Sequence, residues 1–138
     1  MELEKLPYEF TICRLSSADG IDLHTAFCFV GRTDEEISLV CRTEDVPAGA
    51  TVRDDGWRGF RIRGPLDLSL IGILSGLTGL LAENRIGIFA VSTYDTDYIL
   101  VKAENFDRAM DILAAAGYAV VQHPVPGGVP APRQTPPA

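Results

Sequence analysis

The rhythm of apolar and polar positions changes several times along this chain, and each change marks an element. "RGFRIRG", residues 58 to 64, alternates Phe60 and Ile62 with Arg61 and Arg63, the period of a strand with one buried face. Gly64 and Pro65 stop it. Leu66, Leu70, Ile73, Leu74, Leu77, Leu80 and Leu81 then recur at spacings of three and four, which predicts a helix with one broad apolar face, capped by Asp67. Ser69, Gly72, Gly76 and Gly79 form a stripe of small residues on another face. Glycine costs a helix about 1 kcal/mol relative to alanine, so the stripe predicts close packing against a neighbouring backbone, or close approach of a ligand near Gly72.

"IGIFAVS" (86–92) and "DYILVK" (97–102) read as strands joined by the short turn "TYDT". In "NFDRAMDILAAAG" Phe106, Met110 and Leu113 share a helical face, with Asn105 as cap and Gly117 as stop. "YAVVQH" is a last strand. Strand, helix, strand, strand, helix, strand over 58–123 predicts an α+β, ferredoxin-like βαββαβ unit: a four-stranded antiparallel sheet with both helices on one face. In this reading the hairpin turn and the start of the first helix lie at opposite ends of the sheet. The strand carrying Phe89 to Thr93 is an edge, open to side-by-side pairing.

The first 57 residues gain meaning when slid over the rest. At an offset of 61, "FVGRTDEEISLVC" (29–41) falls on "AVSTYDTDYILVK" (90–102); at an offset of 50, Phe10 and Ile12 fall on Phe60 and Ile62. About eleven residues, the difference between the offsets, are then missing where the long helix sits. "TEDVPAGATVRDDGWRG" (43–59) is where the other helix belongs, but Pro47 and Gly49 interrupt it. Residues 1–57 therefore read as a degenerate, mostly β copy of the unit that follows. Two related sheets in one chain leave a seam, a usual place for a small-molecule site.

Composition narrows the function. The chain has 138 residues, 46% of them hydrophobic, enough for a packed core. A net charge of -7 with scattered basic residues argues against nucleic acid. Residues 124–138, "PVPGGVPAPRQTPPA", hold six of the nine prolines and read as a flexible, partly polyproline tail. Cys13, Cys28 and Cys41 sit in strand-like runs without metal-ligand spacing and read as reduced, buried thiols. "MELEKLPYEF" has no secretory pattern, and the apolar run 68–82 is too short for a bilayer, so a cytoplasmic setting without membrane is expected.

Chemistry is sparse. His24 and His123 stand near no nucleophile motif, and a couple of His24 with Cys28 is the only sequence hint of catalysis. "GILSGLTG" lacks the lysine and placement of a phosphate loop. Binding is better supported. A helix start at Leu66 offers N–H groups for a carboxylate, and Asp67 a partner for an ammonium group. Ser92, Thr93, Asp95 and Asp97 come from the neighbouring strand end and turn; the acids also read simply as solvated hairpin residues, and the turn lacks the oxygen ligands of a metal site.

Residues 64–118, with the "GPLD" entry, the "SLIGIL" helix and the "STYDTDYILV" hairpin, resemble the ACT domain, in the branch shared by aspartate kinase regulatory domains and CASTOR-type arginine sensors. The N-terminal part resembles the degenerate ACT-like half of small bacterial members. The resemblance implies a non-catalytic regulatory module without cofactor that binds an amino acid between ACT units, in a homodimer or by intrachain pairing of the two halves. It implies Asp67, Leu68, Gly72 and Ile73 on one side of the ligand and Ser92 and Thr93 on the other, with Asp95 and Asp97 as further motif residues. The rival expectation is a protein-interaction module using the sheet edge or the Pro-rich tail. A small enzyme on the same fold would need a polar pocket with a perturbed titrating group.

Overall fold

The computed structural model describes residues 2–63 and 70–124, without the side chains of Leu70, Ile71 and Ile73. In chain order the strands are β1 (Glu2–Leu15), β2 (Phe29–Arg32), β3 (Ile37–Arg42), β4 (Ala50–Arg63), β5 (Ile88–Ser92), β6 (Asp97–Lys102) and β7 (Ala119–Gln122). The helices are α1 (Leu70–Glu83) and α2 (Ala103–Ala115), and a 3-10 turn spans Thr43–Asp45. The strands form one sheet in the order β2-β3-β1-β4-β6-β5, with β7 beside β1. The fold is α+β and ferredoxin-like in its second half, preceded by a mostly β half.

The registers of the two hairpins correspond at offsets other than those of the letter match. In the first hairpin Arg32 pairs with Ile37 and the Thr33 amide donates to the Glu36 carbonyl at 2.9 Å. In the second, Ser92 pairs with Asp97 and the Thr93 amide donates to the Thr96 carbonyl at 2.8 Å. Counterparts are thus 60 residues apart, not 61. Cys41 faces Thr11 and Val101 faces Arg58, so the first strands correspond at 47, not 50. Under these offsets the buried quartet Cys13, Leu15, Leu39 and Cys41 falls on Phe60, Ile62, Ile99 and Val101, the matching face of the second unit. One-residue slips exchange the faces of a strand, so burial fixes the alignment where letter matching did not.

Where the second unit has helices, the first has loops. Leu77 and Leu81 of α1 and Phe106, Ala109, Met110 and Leu113 of α2 cover the second quartet. Ile21, Cys28, Val46 and Ala50 cover the first. The helix expected after Thr43 is only the 3-10 turn, whose preceding residue Arg42 (φ -61, ψ 143) has the geometry of Lys102 before α2 (φ -59, ψ 140). Pro47 ends it, and from Ala50 the chain is already β4, which runs unbroken through residues 57 and 58.

Both helices end alike. The Gly117 amide donates to Ala114 and that of Tyr118 to Leu113, both at 3.1 Å, a Schellman closure with Gly117 at φ 103. Arg85 takes the same place after α1 at φ 60, with Ile86 donating to Leu81 at 2.9 Å. Asn105 is not the cap of α2: the helix starts at Ala103 directly from β6, and Lys102 at the cap makes no side-chain capping bond. The glycine stripe does not pack against a backbone within the described residues. A methyl group at Gly72 or Gly79 would meet nothing within 4 Å, and at Gly76 only the Tyr118 hydroxyl at 3.7 Å.

Two features go beyond four antiparallel strands. The last strand of the unit, β7, pairs in parallel with Glu2–Lys5 of β1, because β1 already occupies the edge of β4 that β7 would take. The sheet also curls. Phe29 of β2 and Tyr98 of β6, with three strands between them in the order, bring their rings to 5.0 Å. The long central pair β1 and β4 carries three register irregularities, which increase local twist and bending. The concave face holds Leu6, Phe10, Val40 and Leu100, with Tyr8, Ile12, Phe27, Phe29, Trp57 and Phe89 around them.

Candidate functional site

Alternation along β6 divides the expected site residues between two faces. Ile99 and Val101 point to the helices, Tyr98 and Leu100 to the concave face. Asp97 therefore lies on the helix side, buried, and accepts a hydrogen bond from the Ser92 hydroxyl directly across the hairpin. Thr93 faces the concave side, where its side chain borders a cleft. Its hydroxyl also closes the turn, donating to the Thr96 carbonyl at 3.0 Å. Asp95 is exposed in that turn.

The turn is not remote from the end of β4. The Thr96 hydroxyl donates to the Ile62 carbonyl, so the hairpin tip sits beside the point where the chain leaves β4 for residues 64–69. This corrects the expectation of opposite ends: a strand, a returning helix and a second strand bring both strand ends to the same side of the sheet. Asp67 and Leu68 lie outside the described residues, as does the side chain of Ile73; Gly72 is exposed on α1.

The two halves share one sheet instead of packing as two with a seam, and a second feature arises where that sheet curls. A cleft of about 360 Å³ opens on the concave face where the curled sheet brings β2 near the second hairpin. Phe27, Phe29 and Tyr98 form much of its wall, with Arg61, Thr25 and Thr93 as polar members. Arg61 Nε donates to Glu4 at 2.6 Å and Nη1 donates to the Tyr98 hydroxyl at 3.3 Å. Arg63 Nε reaches the other oxygen of Glu4 at 3.1 Å. One buried carboxylate thus serves two guanidiniums. Phe27 holds its ring against Tyr8 at 5.5 Å and Phe10 at 5.9 Å from a left-handed backbone, φ 61, an outlier for so bulky a residue. The sequence marked Arg61 only as the polar side of a strand, and no motif singled out Phe27.

The thiols are not activated. Cys13 and Cys41 are buried and Cys28, just ahead of β2, is half-buried. Burial pushes the Cys28 thiol up, against the help of a Thr25 hydrogen bond and with Asp22 and Asp45 adding to the rise. A nucleophilic couple needs the opposite shift. No group of His, Cys, Asp and Glu among the described residues could hold a metal ion. No described helix is long and apolar enough to cross a membrane.

The βαββαβ order and the hairpin geometry define a ferredoxin-like module. Residues 52–115 match the ACT domain model, so the chain carries an ACT domain over that stretch. Among solved structures it is similar to a protein from Agobacterium tumefaciens, 33% identical, covering 90% of this chain and 94% of that one at a TM-score of 0.78. It shares the fold of a Vibrio cholerae protein of unknown function described as a possible transport protein, 20% identical over 80% and 85% of the two chains, TM-score 0.62. It also shares the fold of the regulatory subunit of aspartate kinase from Thermus thermophilus, 9% identical over 83% and 97%, TM-score 0.58. No curated protein sequence matches significantly.

Proposed function

We propose that this chain is a non-catalytic regulatory module that binds a small amino acid at an interface between ACT units, with Ser92, Asp97 and the segment after β4 at the ligand. The observation that carries the reading is the buried Asp97 carboxylate, oriented by Ser92 on the helix side and placed by Thr96 next to the end of β4. A buried carboxylate oriented by a hydroxyl is a suitable partner for an ammonium group. Asp67, Leu68, Gly72 and Ile73 would close the other side, and Thr93 and Asp95 would shape the turn. A second ACT unit would pair along β5, the sheet edge beside this site.

Calorimetric titration of the full chain with each of the twenty amino acids tests the reading. Saturable heat with one or a few, lost in Asp97→Asn while the fold is retained, supports it; a flat response to all twenty removes it. The same edge strands, β2 and β5, support the second reading of a protein-interaction module. Capture of a partner that depends on residues 124–138 or on the β5 edge, with no amino-acid response, favours that one.

A further inference from the structure

We infer that the cleft on the concave face binds a small organic carboxylate with a planar apolar body, a ligand without an ammonium group. It goes beyond the amino-acid reading, because it occupies the other face of the hairpin and has different chemistry. A volume of about 360 Å³ falls in the range of small-molecule pockets, and the rings of Phe27, Phe29 and Tyr98 share the wall with the polar side chains of Thr25, Arg61 and Thr93.

The charge pattern selects an anion. The protein carries a net charge of -7, yet Arg61, with a side chain only 16% exposed, lines this cleft and no acidic side chain does. Glu4 is the carboxylate beside it, and it is shared between Arg61 and Arg63, so the three groups together keep one positive charge. Glu4 and Tyr98 fix the guanidinium in place, which leaves less side-chain entropy to lose when a carboxylate docks. An ammonium group would find no carboxylate on the lining and would be repelled by the excess charge.

The rings select a flat body. Phe27 and Phe29 both approach Tyr98, at 6.4 Å and 5.0 Å between ring centres. The left-handed backbone of Phe27 is local strain, which the surrounding packing holds and which concentrates at ligand sites. Both halves of the repeat contribute: Phe27 and Phe29 belong to the first, Arg61, Thr93 and Tyr98 to the second.

The test is a titration of the nitrogen-labelled full chain with phenylacetate, phenethyl alcohol and phenethylamine, followed by amide shifts. Phenylacetate is expected to move Phe27, Phe29, Thr93 and Tyr98 saturably, and the alcohol and amine to bind about tenfold more weakly or less, since they lack the charge-assisted bond. Arg61→Gln should abolish the difference between the acid and the alcohol. Tyr98→Phe, which keeps the ring and removes the hydroxyl that steadies Arg61, should weaken phenylacetate about threefold. Should Arg61→Gln fail to fold, the three-probe comparison on the wild-type chain decides. Absent shifts, equal shifts from all three probes, or shifts confined to Ser92 and Asp97 would each overturn the inference. An amino-acid titration that is flat beside a positive phenylacetate response separates the failure of the earlier reading from failure of this one.

Discussion

Glu4 and Arg61 are direct partners in the β1–β4 ladder, and their side chains meet at 2.6 Å across the junction of the two halves. The pair is among the least exposed ionic contacts described, with side chains 9% and 16% accessible. Removing one member strands a charge that is already out of water. Glu4→Ala is therefore expected to lower stability by about 3 kcal/mol, read as a shift of the urea midpoint without a change in slope. An effect under about 1 kcal/mol would mean the pair is solvated like a surface bridge.

Two glycines should respond to a methyl group with opposite signs. A Cβ at Gly59 would lie 2.5 Å from Leu100 Cδ2 and 3.3 Å from the Ile99 carbonyl oxygen, with Phe10 behind at 3.7 Å. Gly59→Ala should cost about 1–3 kcal/mol by overpacking. Gly79, in the middle of α1 with open space around it, should gain about 1 kcal/mol on substitution by alanine. Thermal melts of the two variants check both signs.

The matched helix ends give a second opposed pair. Arg85 and Gly117 occupy equivalent left-handed positions, but only one has the residue that adopts it freely. Arg85→Gly is expected to stabilise by roughly 0.5–1 kcal/mol and Gly117→Ala to destabilise by a similar amount. Chemical denaturation measures them; equal signs would show that the closures are not equivalent.

Burial above all, then the proximity of Cys13, Asp45 and Cys28, raises the Cys41 thiol from 9.0 to about 12. A group whose folded value is raised contributes fully below its unfolded value and loses that contribution as pH climbs toward the folded one. Stability should thus fall between about pH 9 and 12, by at most about 1.4 kcal/mol per pH unit from this residue. Cys41→Ala should show a shallower alkaline decline. In native protein a thiol reagent should modify half-buried Cys28 first, and Cys13 and Cys41 only on unfolding.

Local periodicity made the second half legible. The alternation around Phe60, the apolar face from Leu74 to Leu81, the Ser92–Asp97 hairpin and the Gly117 stop are all set by neighbours within a few residues. What depended on distant partners was not legible. Residues 50–57 are a strand because β1 offers them a ladder, and nothing in "ATVRDDGW" announces it. The letter match is one residue out of step with the hairpin registers and three with the first strand, since letters ignore which face is buried. Ser92 and Asp97 do come together, but Thr93 faces away, a division that follows from strand alternation once the register is known. The cleft was invisible because sheet curl assembles it from a loop, an edge strand and two inner strands.

The parallel ladder between β1 and β7 has a temporal consequence. Glu2 lies against Ala119 and Lys5 against Gln122, so the described fold is fastened by residues more than a hundred positions apart. On the ribosome β1 emerges early and must wait, with one flank open, until the final strand has been made. Such long-range closure slows folding and exposes an unpaired edge in the interval. The two halves share a sheet, and for that reason neither can finish first.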